Sequence, residues 1–309
     1  MSQTTPEISV VIPVYNEAPN IEALMDRCLG TLTKMGRPFE IVAVDDGSTD
    51  ESVELLLKRR DSERRIRIVR LMRNFGQSPA LYAGMANARG EIVVIIDADL
   101  QNPPEEIPKV VEKLEEGYDV AQGWRQMRQD SFWRKAASRS LNYAVSRAIK
   151  SPMRDLGCGL KAFRRDTVEH MLALRHHSRY VPAETVWLGA KMGEVKVSHD
   201  SRGGGKSKYS IWKLLHLNFD MLASVTTTPV KFVGALGIFM SLIGFAMSMY
   251  IFYRRIMLGP YSDLATVTAL FFFLGGIQMM AVGLVCEYVS RIFVEVQNKP
   301  YYIVRDVIE

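Results

Sequence analysis

Residues 92–108 read IVVIIDADLQNPPEEIP: a run of β-branched apolar residues stops abruptly at two carboxylates, Asp97 and Asp99, one residue apart. An apolar run without polar alternation is the pattern of a strand covered on both faces, as in a parallel sheet flanked by helices. Ligands of open α/β sheets bind beyond the carboxyl ends of the strands, so these two acids stand where a ligand is expected. Two carboxylates there suit a hard divalent cation that also takes oxygens from a substrate phosphate. A polar turn closing a core strand would read the same way, and the surrounding chain has to decide between the two.

Working outward, residues 8–15 (ISVVIPVY) repeat the buried-strand pattern and are followed by Asn16, Glu17 and a helical period over 19–32. A third strand, 39–44, runs into Asp45, Asp46, Gly47, Ser48, Thr49 and Asp50, where Ser48 and Thr49 are expected to cap a helix carrying Val53, Leu55 and Leu56. A strand over 66–71, a helix over 77–88 and the strand at 92 complete a βαβ series. The expectation is an α/β domain with a mostly parallel sheet and right-handed crossovers, of the Rossmann-like, nucleotide-binding kind.

Four pieces, VVIPVYNE (10–17), VDDGSTD (44–50), RNFGQ (73–77) and DADLQNPPEEIP (97–108), together resemble the GT-A glycosyltransferases of family 2 in residues, order and spacing. More narrowly the chain resembles the polyprenyl-phosphate glycosyltransferases, which include dolichyl-phosphate mannose synthases and bacterial undecaprenyl-phosphate glucosyl and aminoarabinose transferases. RQMRQDSFWRKAAS (125–138), DLGCGLKAFRR (155–165) and TTTP (226–229) are most similar to the aminoarabinose branch. The resemblance spans nearly the whole chain. It implies an inverting enzyme that moves a sugar from a UDP-sugar to undecaprenyl phosphate, with 4-deoxy-4-formamido-L-arabinose as the first expectation and UDP-glucose or GDP-mannose as alternative donors.

The resemblance also implies site residues. Pro13, Tyr15, Glu17, Val44 and Asp46 are expected around the nucleoside, with Tyr15 stacking and Asp46 at the base edge. Asp97, Ala98, Asp99 and Gln101 are expected to line the diphosphate, and Asp97 and Asp99 to hold Mg2+ or Mn2+. Arg125, Arg128, Arg134 and Lys135 are expected near the lipid phosphate, as are Arg202 and Lys208, six residues apart. Asp99, Asp155 and Arg125 are the expected catalytic set, with Asp155 orienting the acceptor or acting as a base, or else capping a helix.

The chain has 309 residues and a formal net charge of +5. Its mean hydropathy near zero conceals a division. Residues 232–253 and 265–286 are uncharged apolar runs long enough to span a bilayer, joined by a short loop. Two spans return the chain to the side it left. The expected organisation is therefore a cytoplasmic catalytic domain over 1–206, a juxtamembrane amphipathic helix over 207–229, a transmembrane hairpin over 230–289 and a cytoplasmic tail over 290–309. Tyr209 and Trp212 beside Lys208 and Lys213 fit a helix lying in the membrane interface, or one packed on the catalytic domain. The absence of an N-terminal signal pattern keeps the catalytic domain on the cytoplasmic side of a bacterial inner membrane. A homo-oligomer, by family a tetramer, is expected.

Several readings fall away. The run Gly203, Gly204, Gly205, Lys206, Ser207 is no ATPase phosphate loop, because Asp200 stands where that pattern needs glycine. Cys28, Cys158 and Cys286 have no metal spacing, and Cys158 reads best as a small packing residue. The basic charge comes without a groove-reading motif, which argues for membrane-surface attraction and against nucleic acid. A processive polysaccharide synthase would show more spans and a Gln-x-x-Arg-Trp motif. A silent scaffold or lipid translocase remains as the alternative of another class, although the intact acid pair argues against it.

Overall fold

A computed structural model describes residues 5–125, 153–155, 157–174, 179–198, 264–297 and 299–309, with Met249, Tyr253, Ile256 and Met257. The chain forms two compact units, one of Met1–Asn218 with Pro300–Glu309 and one of Phe219–Lys299. The last ten residues of the expected tail, 300–309, belong to the first unit.

The first unit starts as the sequence pattern predicts. Strand β1 (Ile8–Val14), helix α1 (Ala18–Met35), β2 (Phe39–Asp45), α2 (Ser52–Ser62), β3 (Ile66–Leu71), α3 (Gln77–Asn87) and β4 (Ile92–Ile95) alternate strand and helix. A 3₁₀ turn, Pro104–Glu106, leads into α4 (Ile107–Glu115), then β5 (Val120–Arg125), β6 (Lys161–Arg164), α5 (Arg165–Ala173), α6 (Val181–Trp187) and β7 (Met192–Val197). The eight-stranded sheet has the order β7-β5-β6-β4-β1-β2-β3-β8, the last strand being β8 (Val304–Ile308).

Alternation along the strands divides the core. Val10, Ile12 and Val14 of β1 pack on one face with α1, α2 and α4, while Val11 joins Val42, Val44 and Val69 on the other face with α3 and α5. Helix α3 lies very close to the sheet: a Cβ at Gly84 would stand 2.2 Å from Val11 Cγ1. That contact is open only to glycine.

The sheet is mostly parallel, as expected, with two strands running against the common direction. β1 pairs parallel with β2 and β4, β2 with β3, and β5 with β7, but β6 runs antiparallel between β4 and β5 and β8 runs antiparallel against β3. The physical reason is topological: β6 returns to the sheet beside β4 from the segment after β5, and β8 arrives from the far end of the chain.

The second unit contains α7 (Leu264–Val296), a 33-residue helix. It holds the second of the two expected spans. Among the described residues no helix is long and apolar enough to cross a membrane, so the expected transmembrane hairpin is not borne out there. The first expected span, 232–253, lies outside the described residues except for Met249 and Tyr253, and the juxtamembrane segment 207–229 lies wholly outside them.

Candidate active site

Three chain turns meet at the carboxyl ends of β1, β2 and β4. After β1, Asn16 adopts φ 54°, a left-handed conformation that asparagine tolerates. Its Oδ1 accepts from the Thr49 N–H at 2.8 Å, and its own N–H donates to Ser48 Oγ at 3.1 Å. The Glu17 N–H donates to Ser52 Oγ at 3.0 Å and the Ala18 N–H to Asp50 Oδ2 at 3.2 Å. These bonds stitch the two turns together. Ser48 and Thr49 therefore bind the neighbouring turn instead of capping α2, whose first residue is Ser52 and which has no side-chain cap.

Pro13 and Val44 are register partners on β1 and β2, and Tyr15 is 46% exposed just beyond them. The Glu17 carboxylate accepts from Asn20 Nδ2 at 2.6 Å. Asp46, expected at a base edge, lies where the turn after β2 meets the RNFGQ turn. It is buried, and its two oxygens accept from the backbone N–H groups of Phe75 (2.7 Å) and Gly76 (2.8 Å). Burial raises its carboxyl pKa, and those two N–H groups pull it back. Asp46 thus latches the RNFGQ turn to the end of β2. Gly47 makes the latch possible, since a Cβ there would lie 2.7 Å from the Arg73 carbonyl carbon.

Beyond β4, Asp97 is partly buried and Ala98 buried, with Asp99 and Gln101 half-buried after them. Gln77, the first residue of α3, donates its side-chain amide to Asp97 Oδ1 at 2.7 Å. The Gln101 N–H donates to Asp99 Oδ1 at 3.1 Å across a turn whose central residue, Leu100, has φ 59°. A non-glycine residue held there stores strain, a feature that concentrates at functional sites. Gly159 closes the other side of Asp97: a Cβ there would stand 1.9 Å from Asp97 Oδ2. Burial pushes the Asp97 carboxyl up, and the neighbouring Asp99 charge pushes it further.

Strands β5 and β6 add cations beside this pair. Arg125 and Asp155 form a buried two-point pair, Nε to Oδ2 at 2.7 Å and Nη2 to Oδ1 at 2.9 Å. The Glu194 carboxylate accepts the Asp155 N–H at 3.3 Å and that of Arg154 at 2.6 Å. Lys161, on a central strand, is buried and donates to the Cys158 carbonyl. Burial lowers its pKa, while the charges of Cys158, Asp97 and Asp155 oppose that. Cys158 packs as a small residue, its Sγ 3.7 Å from Asn102 Oδ1. Sequence reading passed over Gln77, Gly159 and Lys161, although a lysine between Leu160 and Ala162 in an apolar strand signals a buried charge in need of a partner. Arg128, Arg134, Lys135, Arg202 and Lys208 lie outside the described residues.

Among the described residues no cluster of three or more His, Cys, Asp or Glu is poised around one point. Asp97 and Asp99 alone leave most of a coordination sphere open. That donor set fits a hard cation completed by phosphate and water oxygens rather than a closed structural site.

Residues 9–172 match the profile of Glycosyl transferase family 2. The chain belongs to that family. It is 41% identical over 306 residues to the undecaprenyl-phosphate 4-deoxy-4-formamido-L-arabinose transferase of Pseudomonas aeruginosa (strain LESB58), covering 97% of this chain and 90% of that one. To the protein of the same name from Serratia proteamaculans (strain 568) it is 39% identical, covering 100% and 96%. Among solved structures it resembles glucosyl-3-phosphoglycerate synthase from Mycobacterium tuberculosis in complex with UDP, with TM-score 0.53 and 22% identity over 71% of this chain and 79% of that one. The complex of the same enzyme with Mn2+, UDP-glucose and phosphoglyceric acid gives TM-score 0.53 at 21% identity, covering 71% and 78%. These solved structures share the Rossmann-like mixed sheet. The family 2 chain is a glycosyltransferase.

Proposed function

We propose that the enzyme transfers 4-deoxy-4-formamido-L-arabinose from its UDP carrier to undecaprenyl phosphate at the cytoplasmic face of a bacterial membrane. The carrying observation is the Asp97/Asp99 pair at the end of β4, gripped by Gln77 and Gly159 and backed by the buried cations Lys161 and Arg125. The names of the relatives, at 39–41% identity over almost the whole chain, supply the substrates. Glu184 would favour a hexose if its carboxylate faced the sugar. It is buried instead, accepting from the Tyr82 hydroxyl, which leaves the pentose reading without that objection.

Asp97 and Asp99 would hold Mg2+ or Mn2+, which when bound supplies Lewis-acid stabilisation of the departing diphosphate. The chain does the rest by positioning. Pro13, Tyr15, Glu17 and Val44 receive the nucleoside, Tyr15 offering an exposed ring for stacking. Ala98 and Gln101 line the diphosphate. In this reading Arg125, Arg128, Arg134, Lys135, Arg202 and Lys208 would bind the attacking phosphate. A phosphate monoester has its second pKa near 6 (roughly), so the acceptor is an ionised nucleophile at neutral pH and needs little general base. Asp155, committed to Arg125, then serves to aim that guanidinium rather than to take a proton. One in-line displacement inverts the anomeric carbon.

The second unit is read as the lipid-facing part. Residues 265–286 carry no charge, and α7 exposes Phe271, Leu274, Val282, Val285, Ile292 and Phe293. Apolar exposure on that scale calls for a lipid or protein cover. With the segment 232–253 it would make the expected hairpin, and assembly into a tetramer belongs to the same reading.

The test is transfer of radiolabelled sugar to undecaprenyl phosphate by the full chain in detergent, comparing UDP-formamido-arabinose, UDP-glucose and GDP-mannose with Mn2+, Mg2+ or EDTA. A labelled lipid from the formamido-arabinose donor alone, lost with EDTA, is the expected result. Transfer from another donor overturns the sugar assignment, and undiminished transfer with EDTA overturns the metal.

A further inference from the structure

Strand β6 opens on a charge in the middle of the sheet. Lys161 stands between Leu160 and Ala162 of the core and is itself buried, with register partners Ile95 on β4 and Gln122 on β5. Taking an ammonium out of water is costly, and an apolar side chain of similar volume would pack there more favourably. Departures of that kind concentrate where function requires them. The ammonium donates to the Cys158 carbonyl. That carbonyl belongs to the planar peptide unit that ends at the Gly159 nitrogen, so the bond fixes the plane that carries Gly159. Gly159 lies so close to the acid pair that a Cβ on it would stand 1.9 Å from Asp97 Oδ2 and 3.0 Å from Asn102 Nδ2. The Cys158 N–H donates to the Asp155 carbonyl at 3.3 Å, and the Gln122 side-chain amide donates to that same carbonyl. From the ammonium to the Asp97 carboxylate there are thus one hydrogen bond, one peptide plane and one backbone contact.

We propose that Lys161 is a positioning residue for the metal-binding carboxylate: by holding the Cys158 carbonyl it keeps the Gly159 backbone against Asp97 and so sets the direction in which that carboxylate faces the cation. The Asp97 carboxylate is confined from two sides, Gln77 donating to Oδ1 and Gly159 bounding Oδ2. Removing the ammonium takes a donor from a carbonyl in the protein interior, and the peptide plane turns to regain one. Gly159 then withdraws, and Asp97 gains room to rotate away from the position it shares with Asp99. The inference rests on reading Asp97 and Asp99 as the metal and diphosphate site.

K161M keeps an unbranched apolar stem and removes the donor, K161Q is neutral and too short to reach, and K161R keeps the charge and the donors. In the full chain in detergent, the half-saturating Mn2+ concentration for sugar transfer should rise about tenfold in K161M and K161Q, the scale of misplacing a group by about an ångström. K161R should return most of that loss. Calorimetric UDP binding in EDTA should be unchanged in all three, because the expected nucleoside residues follow β1 and β2 and do not meet the Cys158–Gly159 peptide. A lowered melting temperature with a wild-type Mn2+ requirement overturns the proposal. So does a loss of metal-free UDP binding in step with the metal, which a general loosening of the sheet would give. If neither neutral variant folds, Lys161 serves the fold and the proposal fails. D97N run alongside separates the two readings. If D97N needs no more Mn2+ than wild type, the site assignment fails and takes the inference with it; if D97N needs more while K161M and K161Q do not, only the positioning role fails.

Discussion

Two strands of the sheet end in a pair of acids, and the structure treats them oppositely. After β2, Asp45 Oδ1 accepts from the Ser48 N–H at 2.9 Å and both oxygens of Asp46 accept from the Phe75 and Gly76 amides. After β4, Asp97 is held by one side-chain amide and Asp99 by one amide of its own turn. A carboxylate has about four acceptor positions; backbone amides take both oxygens of Asp46, whereas among the described residues Asp97 accepts from one side-chain amide and keeps positions for a ligand. The lesson is that an acid-bearing strand end becomes a latch or a ligand site according to how many backbone donors the neighbouring turns direct at it.

The comparison breaks most visibly at Asp99. D99N should lower sugar transfer by about two to three orders of magnitude while leaving the melting temperature near wild type, because it removes charge from a ligand site without orphaning a buried group. Radiolabel transfer together with a thermal melt reads both, and a stable, fully active D99N would place Asp99 with the latches. G159A comes next. Its new Cβ would collide with Asp97 Oδ2, so the half-saturating Mn2+ concentration for transfer should rise about tenfold, in keeping with the rate cost of misplacing a group by about an ångström. An unchanged metal requirement would show that the Asp97 position is not set from that side.

At the latch the effect should appear in stability instead. D46A leaves the Phe75 and Gly76 amides without their acceptor and should cost about 2 kcal/mol in urea unfolding. Equal damage to metal binding and to stability would erase the distinction between the two strand ends. The smallest effect is on pH dependence. Burial raises the Asp46 carboxyl above its ordinary value of 3.8, so between that value and the raised one the folded state binds more protons than the unfolded state. Stability from this group is then present at low pH and declines as pH rises through that window. D46N should flatten that part of the stability profile, measured by urea unfolding across acidic pH, and an unaltered slope would remove Asp46 as its source.

Much of this arrangement was legible before folding was considered. Periodicity placed β1, β2, β3, α1 and α3 within a few residues, because each is local and buries a continuous apolar face. The acid pair at 97 and 99 was legible for the same reason, as a strand ending in charge. β6 was not, since four residues between a polar loop and a helix carry too little pattern to set a direction. β8 was read as a tail although residues 304–308 alternate in burial, because its partner β3 lies more than two hundred residues earlier. Asp46 as a latch and Glu184 as a buried partner of Tyr82 were equally out of reach, since both depend on donors about 30 and 102 residues away along the chain.

By itself, then, the sequence determined the strand–helix alternation, the turn motifs with their acids, the uncharged segments near the C-terminus and the resemblance to family 2, all of which are short-range patterns. Only the tertiary structure decided that both oxygens of Asp46 meet backbone amides while Asp97 meets the Gln77 side chain, that Arg125 is paired with Asp155, and that Tyr301 after α7 packs against Tyr82 of α3. The reason is that hydrogen-bond satisfaction of a buried group is a property of everything packed around it, and no local pattern encodes which distant amide will arrive there.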